Sequence, residues 1–224
     1  MDEIITPGII LSVMPIGEYD RRAEILSSDL GRISAFARGA RKPGSSLVSV
    51  TRAFAFGKFR LYRGKSSYTL LSAEITTWFD RLTEDLDQAC YGFYFLEVAR
   101  YFSRENVESS EMLKLLYFSL RALDLKSVSN RLVRCIYDLK MLDLNGLCPS
   151  ADRLLSGTGV YSFAKDLSSG CIRAYHYVTE EPVGKLFTFT LSDEVLKEFE
   201  LVTKQLMRQS TDREFKSELL LGTV

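Results

Sequence analysis

The first 80 residues are cut into short apolar runs by glycine, proline, serine and aspartate, so long helices are excluded there. Ile9–Met14, Arg22–Leu26 and Arg32–Arg38 read as three strands, with a turn at Ser28–Gly31 between the second and third. Residues 39–46 form a loop, 51–63 a long fourth strand and 67–77 a fifth. Five strands in so short a stretch fit an OB-fold, a small Greek-key barrel often used to hold oligonucleotides. In the fourth strand the apolar alternation slips by one at Gly57–Lys58, which predicts a bulge. Beyond the slip, Lys58, Arg60 and Tyr62 project to one side, while Phe54, Phe56 and Phe59 are expected in the core. On the third strand Phe36 and Arg38 share a face.

From about Thr83 the apolar spacing changes from two to three and four, which predicts helices over 84–102, 110–124, 129–144, 192–209 and 212–221. Asp80 or Thr83 is expected to cap the first, and Asn145-Gly146 to end the third. Residues 146–185, rich in serine and glycine, read as irregular. The expected class is α+β, with a strand domain over 1–80 and an all-helical domain over 81–224.

The net charge is zero, yet its distribution is uneven. From Arg32 to Ala73 there are nine basic residues and no acidic one: Arg32, Arg38, Arg41, Lys42, Arg52, Lys58, Arg60, Arg63 and Lys65. A single-sign run of this length attracts polyanions. Phe36, Tyr62 and Tyr68 are interleaved with it, and flat aromatic faces among cations suit unpaired bases. The candidate DNA-binding residues are therefore Arg32, Phe36, Arg38, Arg41, Lys42, Lys58, Arg60, Tyr62, Arg63 and Lys65. The bland alternative is a solvated basic face without a ligand.

No catalytic residue is assigned. The sequence has neither a phosphate-binding Gly-x-x-x-x-Gly-Lys-Ser/Thr loop nor a Gly-x-Gly-x-x-Gly turn, and a single histidine, His176. Four cysteines, Cys90, Cys135, Cys148 and Cys171, are widely spaced and read as reduced thiols. Cys148 and Cys171 each begin a Cys-x-x pattern that ends in alanine, at Ala151 and Ala174, so a zinc site is incomplete and no cofactor is expected. No apolar run is long enough to span a bilayer, and the acidic start lacks a signal peptide, so a cytoplasmic, nucleoid-associated protein is expected.

A set of segments in a fixed order adds to this reading: Gly8–Leu11, Gly17–Asp20, Gly31–Pro43, Arg63-Gly64-Lys65, Leu71–Glu74, Tyr91–Glu97 and Arg213–Ser217. In order and spacing, over nearly the whole chain, they resemble the RecO family of bacterial recombination mediators. The resemblance implies an N-terminal OB-fold, a C-terminal helical domain and a zinc-finger-like insert at 146–185, degenerate here because of Ala151 and Ala174. It implies DNA repair by binding single- and double-stranded DNA and annealing complementary strands. It also implies partners: RecR, single-stranded-DNA-binding protein and, indirectly, RecA. The rival expectation is a protein-interaction module whose basic barrel holds an acidic partner segment; an enzyme ranks third.

Overall fold

Strands form where β-branched and apolar residues alternate, and the computed structural model, which describes residues 2–65 and 67–221, carries five of them among those residues. They are β1 (Asp2–Ile16), β2 (Asp20–Ser27), β3 (Gly31–Ala37), β4 (Phe56–Arg63) and β5 (Tyr68–Thr77). They close into a barrel in the order β1-β2-β3-β5-β4, antiparallel throughout except for a short parallel pairing of β3 with β5. This is the expected OB-type barrel, followed in sequence by helices.

Closure rests on β1. Residues 2–9 pair with β4 and residues 8–16 with β2, so one strand serves both edges. Leu11 is skipped in the β1–β2 register, and this extra residue bends the strand. Inside, Ile10, Ala23, Ile25, Ile33, Ala35, Phe59, Leu61 and Leu70 alternate with outward residues. A four-residue helix, α1 (Leu47–Val50), adds Leu47 and Val50 to that core. Arg21 holds α1 in place by donating to the carbonyls of Val48 (3.1 Å) and Thr51 (2.9 Å).

The fourth strand is shorter than its sequence pattern predicts, beginning at Phe56 rather than residue 51. Phe54 is buried with a positive φ of 68°, which no strand residue adopts, and residues 51–55 turn instead of extending. Its N–H donates to the Ile10 carbonyl while the Ala55 carbonyl accepts from Ile10. Phe56 is only half-buried, so Phe54 and Phe59 alone of the three phenylalanines reach the core. The irregularity near Gly57 is real, but the extra residues lie on β5: the register skips Thr76 and Leu71. After the second skip Leu71 faces outward and is exposed.

By density of contacts the chain divides into two units, one of Met1–Arg81 with Leu96–Leu113, the other of Leu82–Phe95 with Lys114–Val224. In the first, a segment after the barrel joins the β2–β3 turn. Gly31 bridges Glu105, Asn106 donates to the Leu30 carbonyl (2.8 Å) and Ser109 to that of Ser28 (2.8 Å). Gly31 has φ +65° and a Cβ there would stand 2.0 Å from the Arg104 carbonyl oxygen, so this junction requires glycine.

The helices are α2 (Asp80–Glu84), α3 (Leu86–Phe102), α4 (Ser110–Asp124), α5 (Asn130–Leu144), α6 (Ala151–Leu155), α7 (Ser169–Glu180) and α8 (Asp193–Ser210). Asp85, not Asp80 or Thr83, accepts the Gln88 N–H at the start of α3. Ser129 caps α5, which ends as expected at Asn145-Gly146, with Gly146 at φ +68°. Residues 146–185, expected to be irregular, are mostly α6, α7 and 3₁₀ turns. The expected helix over 212–221 is a 3₁₀ turn at Lys216–Leu220. In the second unit Asp138 on α5 is fully buried and accepts from the Tyr94 hydroxyl (3.0 Å). Arg134 reaches both Asp138 (3.4 Å) and Glu218 (2.6 Å).

Two outcomes are expected. A Cβ on Gly57 would lie 2.1 Å from the Glu74 carbonyl oxygen, so Gly57→Ala should destabilise the barrel by about 1–3 kcal/mol, read from urea unfolding. Burial pushes the Asp138 carboxyl up to about 7, although Arg134 and Tyr94 pull it down. Between the ordinary carboxylate value of about 4 and that value, the unfolded chain gives up this proton and the folded chain keeps it. The group's contribution therefore falls as pH rises through that window, by at most about 1.4 kcal/mol per pH unit. Asp138→Asn should gain stability relative to the parent between pH 5 and 7.5.

Candidate nucleic-acid interface

Strand pairing links outward side chains from every strand in a belt that winds around the barrel, leaving β1 at Met14 and returning to it at Glu3. Met14 pairs with Arg22, Arg22 with Phe36, Phe36 with Thr69, Thr69 with Tyr62, and Tyr62 with Glu3. Paired residues point to the same side of a sheet. On the β2–β3 part of this belt the Arg22 guanidinium lies 5.8 Å from the centre of the Phe36 ring, and its Nε donates to the Ser34 hydroxyl at 2.5 Å. Met14 and Arg22 are exposed and Phe36 is half-buried.

Two loops rise beside this face and are tied together. The Arg41 N–H donates to the Tyr19 carbonyl (2.8 Å), and its guanidinium reaches the Gly17 carbonyl (3.3 Å). The Lys42 ammonium lies 5.4 Å from the centre of the Tyr19 ring. Asp20 accepts the Gly39 N–H at 2.7 Å. The β1–β2 turn and the loop after β3 thus form one rim carrying Tyr19, Arg41 and Lys42, with Glu18 among them and Arg38 at the end of β3. Arg38 and Lys65 are exposed, and neither makes a side-chain hydrogen bond or ion pair among the described residues.

The acid-free stretch of sequence does not become an acid-free surface. Lys58, Arg60 and Tyr62 do project together from β4, but β1 and β5 bring acids alongside. Lys58 pairs with Glu74, and Tyr62 with Glu3. The Glu3 carboxylate bonds to Arg60 and raises the pKa of its guanidinium. Arg32 is half-buried, and its guanidinium donates to the Arg100 carbonyl at 3.0 Å. Arg63 lies over the ring of Tyr68 at 5.9 Å, and Tyr68 is itself buried, which removes it as a stacking surface. Arg52 pairs with Asp80 at 2.5 Å.

On β2 the balance is reversed. Burial would raise the Glu24 carboxyl, but the Ser12 hydroxyl at 2.6 Å and the Arg100 guanidinium more than offset it and hold the group below its ordinary value. That acid is compensated from within, and Arg22 beside it stays available. Arg22, Met14 and Tyr19 are absent from the sequence-derived set because they precede the acid-free stretch that begins at Arg32. The detectable signal was the period-two alternation of β2, which sends Arg22 to the face that Phe36 occupies.

The cysteines of the 146–185 stretch are set differently from metal ligands. The Cys148 thiol meets the Leu139 carbonyl at 3.6 Å, and Cys171 is buried on α7. Burial pushes both thiols up to about 12. Ala174 is buried and apolar, and His176 contacts Glu180 (2.8 Å) one turn away. These residues do not fit a zinc ion, and among the described residues no group of three or more His, Cys, Asp or Glu is gathered.

Residues 1–79 match the family model described as Recombination protein O N terminal, and residues 83–156 match Recombination protein O C terminal. The chain belongs to the RecO family. Its barrel and helices are thus those of a family of DNA repair and recombination proteins. The DNA repair protein RecO of Acetivibrio thermocellus is 27% identical over 237 aligned positions, covering 96% of this chain and 94% of that protein. That of Dehalococcoides mccartyi is 25% identical over 241 positions, covering 98% and 95%. That of Bacillus cereus is 30% identical over 145 positions, covering 65% and 58%. Among the described residues no helix is long and apolar enough to cross a membrane.

With thiols near 12, roughly 10⁻⁴ of each is thiolate at pH 8. Iodoacetamide should modify Cys148 and Cys171 on the order of 10³-fold more slowly in the native protein than in urea, read by mass spectrometry of the peptides.

Proposed function

We propose that this RecO-family chain is a non-catalytic DNA-binding mediator of recombinational repair. The observation that carries the reading is the joined rim of Tyr19, Arg41 and Lys42 beside the β2–β3 face with Arg22, Phe36 and Arg38. In OB-folds the face of strands 2 and 3, with the β1–β2 and β4–β5 loops, is where oligonucleotides lie, and here the β1–β2 turn that carries Tyr19 is tied to the loop of Arg41 and Lys42. The rim cations bind phosphates without regard to sequence, and Lys58, Arg63 and Lys65 extend the path with Tyr62 among them. Arg32 and Arg60, tied to Arg100 and Glu3, act mainly in holding the barrel. A cationic surface that holds two strands lowers their mutual repulsion, and this is how complementary single strands are brought to anneal without a nucleotide cofactor. Duplex DNA binds through the same phosphate contacts. RecR and single-stranded-DNA-binding protein are the partners this role requires, with RecA loaded as the consequence.

The test is a salt titration of binding to an unstructured oligonucleotide. About five phosphate contacts give a log–log slope near −3.5. Replacing both Arg41 and Lys42 by alanine should bring it to about −2 and weaken binding to all sequences alike. A slope near zero for the parent protein overturns the reading. Tight binding of polyglutamate with none of DNA would point to an acidic protein partner instead.

A further inference from the structure

Nothing so far separates single strands from duplex, because phosphates are common to both. The Phe36 site does. Phe36 stands on β3 between Ser34, two residues back on the same face, and Thr69, its partner on β5. Both neighbours are short, and the half-buried ring keeps part of its surface open to solvent. The Arg22 guanidinium lies over the ring, 5.8 Å from its centre, and is fixed by its bond to Ser34, so it forms the outer layer of a two-part stack. A guanidinium held in this way is planar and is itself a stacking surface. Arg38 follows Ala37, the last residue of β3, and opens the turn that leads to the rim cations.

A duplex keeps its bases stacked inward, and reading them through the major groove takes a protruding helix or two-stranded ribbon. The β2–β3 face offers neither, only the side chains of a curved sheet. An unpaired strand, by contrast, presents base faces for stacking. Resting on the DNA-binding reading above, we propose that Phe36 and Arg22 form a stacking platform that selects unpaired strands, while Arg38, Arg41 and Lys42 hold phosphates of either form. Strand-type preference thus resides in two side chains of one hairpin and is separable from affinity. Arg22 is the residue this adds to the site.

The experiment measures binding of the full chain to labelled oligodeoxythymidylate and to a blunt duplex by fluorescence anisotropy. Phe36→Leu keeps apolar bulk and removes the π face; Phe36→Trp enlarges that face. Phe36→Leu should weaken the single strand by about 5- to 150-fold and the duplex by less than about twofold, with the salt slope unchanged. Phe36→Trp should retain single-strand binding at or above the parent level. Arg22→Lys, which keeps the charge at an exposed position, should shift the ratio in the same direction as Phe36→Leu. If Phe36→Leu lowers both ligands equally, or neither, the platform is wrong although the DNA-binding reading stands. If the parent protein binds neither ligand, both proposals fall together.

Discussion

Every feature of the candidate interface depends on hydrogen bonding along both edges of β1. A five-stranded sheet left open would present unpaired N–H and C=O groups along two edges. Here the skipped residue Leu11 bends β1, and Gly8 permits the close crossing, since a Cβ there would lie 2.7 Å from the Leu26 carbonyl oxygen. Closure fixes the register of all five strands at once. That register links Met14, Arg22, Phe36, Thr69 and Tyr62 pair by pair in one path that winds around the barrel. The belt is a geometric consequence of closure, with no need for its members to be near one another in the chain.

The electrostatics follow from the same closure. A sequence run free of acids becomes a positive surface only if its spatial neighbours are also free of acids. β4 lies between β1 and β5, which supply Glu3 and Glu74, and much of its positive charge is answered there. β2 carries an acid of its own in Glu24, but Ser12 and Arg100 absorb it. Coulomb attraction acts over a few ångströms, and in a sheet those few ångströms separate residues dozens of positions apart in sequence.

In the helical unit burial, more than exposure, sets the chemistry. Tyr94, Arg134, Asp138 and Glu218 form one connected polar group that runs from the interior to half-buried Arg134 and Glu218, and each member satisfies another. The Tyr94 ring also meets Phe215 edge-on at 5.8 Å. This packing ties residues 215–218 to α5 and accounts for a short 3₁₀ turn where apolar spacing alone predicted a helix. The thiols of Cys148 and Cys171 are likewise held neutral by burial.

By itself the sequence determined the class of fold, the five strands and the helix limits at Phe102, Asp124 and Leu144, because alternation and periodicity are local properties. It also placed Phe36, Arg38, Arg41 and Lys42 in one region, since they lie within seven residues of one another. Only the tertiary structure decided that Phe54 leaves the strand, that the skipped residues belong to β5, and that Arg32 and Arg60 are tied to Arg100 and Glu3. It alone brought Arg22 and Tyr19 to the site. The physical reason is that a side chain's charge and accessibility are set by what stands across the next strand, and strand pairing is not written in sequence distance.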